Sequence, residues 1–469
     1  MNVSRRGLLR GAGVLLIGST EMLTGCAPAP ATAPSTGVAR APAPGSAGYG
    51  ELVADPEGML ALPADFRYTV VTHAGVTKLD SGEPTPRNHD GTGAFARPGG
   101  GVVLVNNHEI RDPFGTELPV PHHDGLVYDP GAAGGCTVIT TDERGNRTGE
   151  TVGVAGTSTN CAGGVSPWGT WLTCEETDTL AGEDGFQADH GYVFEVDPFD
   201  PAANRDPQPI KALGRFEHEA VAVDPQRGHI YLTEDASDPN GMLYRWTPPA
   251  GYAAGKAALR TLGAADGELA VMRASDGNGR HVSDLSMATA VGTRYAIEWV
   301  PVPDRDARGT AIRRQFTDAD ATRARKLEGA WWDAGGAYIV SSYARDESPV
   351  AHDGQVWFFD PATSMLTLRL LFARNVPTRV ARLAFDGPDN ISISPHGGVI
   401  IAEDGKGAQH LIGATAAGST FPVARNDFTD ETRSGEFVGP VYSPDGSILF
   451  AGIQEPGYLF AITGPWRRA

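Results

Sequence analysis

From about residue 90 onward the chain alternates short apolar runs with turns rich in Pro, Asp and Gly. Runs of this length, rich in Val, Ile, Leu and aromatic residues and bounded by turn formers, predict strands rather than helices. One unit recurs. An apolar strand leads through a tight turn to a second apolar strand, which ends in acidic, amide or hydroxyl residues. The second strands read V-V-L-V-N-N-H-E at 102–109, T-W-L-T-C-E-E at 170–176, H-I-Y-L-T-E-D at 229–235, A-Y-I-V-S-S at 337–342, V-I-I-A-E-D at 399–404 and S-I-L-F-A-G-I-Q-E at 447–455. A third strand follows most copies, as in G-Y-V-F-E-V-D-P at 191–198, G-M-L-Y-R-W-T-P at 241–248 and G-Q-V-W-F-F-D-P at 354–361.

The repeat period is about 50–70 residues, the scale of a propeller blade. Radial repetition of short antiparallel sheets protects strand edges. The pattern therefore predicts an all-β fold, a β-propeller with six blades of antiparallel strands. A β-sandwich accounts poorly for the recurring D-P or S-P turn. Residues 249–325 interrupt the period. They hold one clear strand near 295–300 amid polar, Ala-rich sequence, and read as the rest of one blade plus an excursion. The last strand is expected to close the ring with a partner from residues 50–75.

Composition sharpens this picture. The chain of 469 residues has 60 Gly, 35 Pro and a formal net charge of −19. That acidity argues against nucleic-acid binding, which needs basic patches. It fits a solvated surface, or carboxylates that gather metal cations.

The amino terminus is an address rather than fold. Residues 1–26 contain S-R-R-G-L-L at 4–9, an apolar stretch too short to span a bilayer, and L-T-G-C ending at Cys26. They resemble a twin-arginine export signal followed by a lipobox. This implies the twin-arginine export machinery as a partner, with membrane attachment only through a lipid anchor at Cys26. Residues 27–48, rich in Ala, Pro and Gly, read as a flexible tether. Residues 49–469 form the propeller domain, expected outside the cytoplasm, lipid-anchored or secreted.

In a propeller the strand ends at one face meet around a channel. The pairs His108–Glu109, Glu175–Glu176, Glu234–Asp235 and Glu403–Asp404, together with Glu455, occupy equivalent ends of the second strands. Carboxylates brought together must protonate, spread apart or bind cations. Oxygen ligands suit calcium, and a nearby thiolate would add a softer transition metal. Cys161, in a Gly-flanked loop before a strand, is the candidate thiolate. Cys174 and Cys136 read as buried packing. The adjacent His122 and His123 read as surface loop residues, and Asp284-Leu285-Ser286 as a chance tripeptide.

Longer strings then carry a family resemblance. N-C-A-G-G-V-S-P-W-G-T-W-L-T-C-E-E at 160–176, N-H-E at 107–109, G-R-F-E-H-E-A at 214–220, G-P-D-N at 387–390, A-E-D-G at 402–405 and E-F-V-G-P-V-Y-S-P-D-G at 436–446 resemble the PhoX-type alkaline phosphatases over roughly residues 50–460. The resemblance implies hydrolysis of phosphate monoesters by a mixed iron (Fe3+) and calcium cluster with a bridging oxo group. It implies metal ligands at Cys161, Glu219 and Glu328, and further acidic ligands among Glu175, Glu176, Asp389, Glu403 and Asp404. Lys326 and the amides near Asn160 would stabilise phosphate. The family's R-P-E-G string is here Lys326-Leu327-Glu328-Gly329, which supplies charge without a planar fork. Two rival readings are a calcium-dependent propeller lactonase or phosphotriesterase, which would need no cysteine ligand, and a non-enzymatic binding propeller with structural metals.

Overall fold

The strands are shaped by burial on both faces. Ile448–Ile453 and His218–Val223 are buried at every position, so they read as continuous apolar runs rather than as alternating ones. The computed structural model describes residues 47–342, 352–373, 385–405, 407–428 and 435–467. The expected export signal and residues 27–46 of the expected tether lie outside the described residues. Gly48 and Tyr49 are already buried, with Tyr49 packed edge-on against Phe421 and Trp466.

The fold is all-β and propeller-like. Among the described residues, helix is limited to short 3-10 turns such as Lys211–Leu213 and Ile312–Arg314. No helix among them is long and apolar enough to cross a membrane. The strands form five antiparallel sheets. Four begin with the strands His89–Ala96, Asn160–Val165, Pro388–Ile393 and Phe437–Tyr442. The fifth has ten strands and carries His218–Val223 at one end of its path and Leu327–Asp333 at the other. These six first strands pack side by side in sequence order, and the last packs against the first, so they enclose a common axis. The strand Tyr458–Thr463 pairs with Arg67–His73, which is the closure expected from residues 50–75.

Large side chains fill the wedges between sheets. Trp171, Trp246 and Trp357 are fully buried, and burying a side chain of this class contributes upward of about 2 kcal/mol. Cys136 and Cys174 are buried free thiols within these layers, as read from the sequence.

Residues 249–325 hold more structure than the single strand expected. Glu268–Ser275 extends one run of the ten-stranded sheet, and Arg294–Pro301 joins it to the next. The remainder delivers two buried arginines. Arg313 pairs with Glu217 at 3.0 Å and Glu234 at 3.3 Å. Arg323 donates to the carbonyls of Asn240, Arg313 and Phe316. The excursion is therefore a clamp on the strand end at Glu234–Asp235. Asp284 accepts from the Ser286 amide at the start of a 3-10 turn, a local cap.

Arg313→Leu should leave Glu234 buried without its cationic partner. We expect a loss of about 3–5 kcal/mol in urea unfolding. A change below about 1 kcal/mol would show that the clamp is dispensable.

Candidate metal centre

A one-residue insertion recurs in every first strand. The pairing with the second strand skips between His89 and Thr92, Asn160 and Gly163, His218 and Val221, Leu327 and Ala330, Pro388 and Ile391, and Val438 and Val441. Each is a β-bulge, which bends the strand and re-aims a side chain. The second residue of the bulge is in turn Asp90, Cys161, Glu219, Glu328, Asp389 and Gly439. The third is Gly91, Ala162, Ala220, Gly329, Asn390 and Pro440. These third residues line a small cavity where the six strands meet, forming a floor beneath the acids. Glycine is required at two of these positions. A Cβ on Gly329 would lie 2.7 Å from the Ile391 nitrogen, and one on Gly91 would lie 2.7 Å from the Ala162 Cα.

The ligand-type atoms converge in three overlapping groups: Cys161, Glu176 and Glu219; Glu219, Glu328 and Asp389; Asp389, Asp404 and Glu436. Within each group they lie within 4.8 Å of one another. Glu219 is the hub of the first two. It is 1% exposed, and neither carboxylate oxygen has a hydrogen-bond partner. An unpaired buried carboxylate costs several kcal/mol, whereas cation coordination would satisfy both oxygens. The donor set, one thiol among many oxygens, fits cation binding.

The electrostatics agree. Burial, followed by repulsion from Glu328, Asp389, Glu176 and Asp90, holds the Glu219 carboxyl well above the usual range. Burial and neighbouring acids do the same for Asp90, Glu176, Asp389 and Glu436, and push Glu328 up to about 8. Burial, then Asp90 and Glu219, pushes the Cys161 thiol up as well. The Lys326 ammonium, although burial opposes its charge, is held above its normal range by Asp235 and Glu328. Lys326 Nζ lies 2.7 Å from Glu328 and 3.1 Å from Asp235.

The structure divides the expected site residues. Cys161, Glu176, Glu219, Glu328, Asp389 and Asp404 come together, with Lys326 at their edge. Glu175 and Glu403 do not join them. Glu175 accepts from the Ser158, Gly191 and Tyr192 amides and from His190. Glu403 is taken up by the Asp386 amide and His410. Successive strand residues face opposite ways. At 175–176 and 403–404 the first acid is spent inside the sheet and only the second reaches the cluster. Asn160 is also spent, bonded to Thr157 and Thr173. Glu455 is exposed; Gln454 turns inward instead, donating to Asp90 at 3.0 Å and Glu109 at 2.6 Å.

Sequence reading missed Asp90 and Glu436. Asp90 belongs to a recurring pair, an acid or cysteine before a small residue: D-G at 90–91, C-A at 161–162, E-A at 219–220, E-G at 328–329 and D-N at 389–390. The sixth strand has Gly439 at that place, with φ 54°, and Glu436 supplies the carboxylate from just before the strand. Nothing in the repeat marks that displacement.

Comparison with known proteins gives a consistent picture. The family model described as alkaline phosphatase PhoX matches residues 47–457. Pseudomonas fluorescens PhoX in complex with vanadate, a transition state analogue, shares the fold. It has a TM-score of 0.64 and 19% identity over 87% of this chain and 96% of that one. A putative gluconolactonase aligns more loosely, with a TM-score of 0.40 and 10% identity over 89% of this chain and 98% of that one. A gluconolactonase from Xanthomonas campestris has a TM-score of 0.35 and 12% identity over 81% of this chain and 97% of that one. No curated protein matches the sequence.

The raised carboxyls give a signed expectation. Their folded pKa values exceed their unfolded ones, so the folded state binds more protons above the ordinary carboxylate range. Its stability then falls as pH rises. Chelator-stripped protein should lose melting temperature steadily from about pH 5 to about pH 8. Metal-loaded protein should not. Parallel melting curves against pH for the two forms would refute cation binding by these acids.

Proposed function

The chain belongs to the alkaline phosphatase PhoX family, and from that premise we propose that its acidic, cysteine-bearing channel end holds iron (Fe3+) and calcium and hydrolyses phosphate monoesters there. The observation that carries the metal reading is Glu219, buried at the centre of the cluster with both oxygens unpartnered. Cys161, Glu176 and Glu219 would hold iron, because a thiolate favours a softer transition metal. Asp389, Asp404 and Glu436 offer only oxygen and suit calcium. Glu328 would join Glu219 and Asp389 between them. Bound there, such cations neutralise phosphate charge and activate water.

The chain's own residues set the conditions for that chemistry. Gly91 and Gly329 beneath the bulges let neighbouring first strands approach closely. The bulges fix each acid on a rigid strand, so little reorganisation accompanies the reaction. Lys326, at φ 49° and clasped by Asp235 and Glu328, fixes a positive charge at the edge of the cluster.

We extend the proposal to blade count and export. The ten-stranded sheet counts as two blades, one for each first strand at its ends, which makes the propeller six-bladed. Residues 1–26 route the folded protein through twin-arginine export, and Cys26 anchors it outside the cytoplasm. The lactonase and binding-propeller alternatives are not favoured, since the family match and the central thiol both point to the phosphatase.

The test is to measure bound metals and phosphomonoester hydrolysis in wild type and Cys161→Ser, each purified from a twin-arginine-competent host. Iron plus calcium in wild type, with iron lost from the variant and hydrolysis cut about a hundredfold or more, is the expected outcome. Calcium alone in an inactive wild type would overturn the assignment.

A further inference from the structure

Two cationic side chains flank the Glu176 carboxylate, and they are engaged very differently. Lys326 is occupied: its ammonium sits 2.7 Å from Glu328 and 3.1 Å from Asp235, two partners for a single charge. Arg111 follows the strand Val102–His108 in another sheet. Its side chain is 63% exposed, and only Nη2 is engaged, 3.5 Å from Glu109 and 3.4 Å from Glu176. A charge-assisted N–H···O bond is normally about 2.7–2.9 Å. These contacts are loose, and they leave most of the guanidinium fork toward solvent.

We propose that Arg111, rather than Lys326, is the side chain that contacts the phosphate group of the substrate; this rests on the phosphatase reading above. Glu109 and Asp235, half-buried acids beside Glu176 that are assigned to no cation, form an acidic rim that repels a phosphate dianion. A cation placed outside that rim offsets the repulsion only if its charge is not already neutralised at close range. Arg111 meets this condition and Lys326 does not. The guanidinium also offers paired parallel donors, the arrangement that matches two phosphate oxygens, whereas an ammonium is a point charge. Arg111 reaches Glu176, which shares one ligand group with Cys161 and Glu219. A phosphate drawn to the Cys161–Glu176–Glu219 group is thus within its reach. The family's usual arginine position carries Lys326 here, and a guanidinium supplied by a different sheet restores the fork.

A rival role is that Arg111 only holds Glu109 and Glu176 in place. The experiment separates the two on the metal-loaded, full-length enzyme. Bound metal, calorimetric binding of inorganic phosphate, and KM and kcat for p-nitrophenyl phosphate are measured for wild type, Arg111→Gln, Arg111→Lys and Lys326→Met. Arg111→Gln should keep its metals while phosphate Kd and KM both rise about tenfold or more. Arg111→Lys should recover only part of that loss, and Lys326→Met should raise phosphate Kd per bound metal less than Arg111→Gln does. A Kd for Arg111→Gln within about twofold of wild type would overturn the proposal. So would phosphate affinity that falls only in proportion to lost metal. Phosphate binding that depends on Arg111 in a wild type without phosphatase activity would keep the contact and remove the reading it rests on.

Discussion

Repulsion among buried carboxylates is the constraint on which this structure turns. Asp90, Glu176, Glu219, Glu328, Asp389, Asp404 and Glu436 crowd one end of a channel, with a single thiol among them. Two like charges about 4 Å apart cost several kcal/mol even at an effective dielectric near 20. Such a group does not stay ionised without cations. Lys326 offsets only its own neighbours. Glu219, with no partner on either oxygen, is where the unmet demand for positive charge is greatest.

What permits the crowding is a backbone device. A bulge interrupts each first strand; in five of the six it re-aims an acid or Cys161, and at Gly91, Ala162, Ala220 and Gly329 a small residue follows. Gly91 and Gly329 let adjacent strands approach more closely than a Cβ would allow. Around this core the sheets are conventional, closed by strand exchange between the two ends of the chain and wedged apart by buried aromatic residues. The long excursion earns its place by fixing Glu234 through Arg313, which steadies the neighbouring Asp235 and, through it, Lys326.

The site also shows how narrowly function is partitioned along a strand. Glu175 and Glu176 are adjacent in sequence, yet one is a structural acceptor for three amides and a histidine while the other faces the cluster. The same split recurs at Glu403 and Asp404. It is the ordinary alternation of a strand, applied to acids. Arg111 extends the logic outward, from residues that collect positive charge to one that presents it.

Much of this was legible in the chain alone. Apolar runs with recurring turns specified an all-β, propeller-like repeat, because strand period and turn chemistry are local. Long strings around Cys161, Glu219 and Asp389 carried the phosphatase family, because those residues sit where the backbone itself is constrained. Tertiary structure decided the rest. Which member of each acidic pair turns inward depends on register with a partner strand. That Asn160 and Glu455 stand apart while Asp90 and Glu436 join depends on bulges and on Gly439, which has no side chain to offer. Contacts between residues far apart in sequence set both, and a local pattern has no means of recording them.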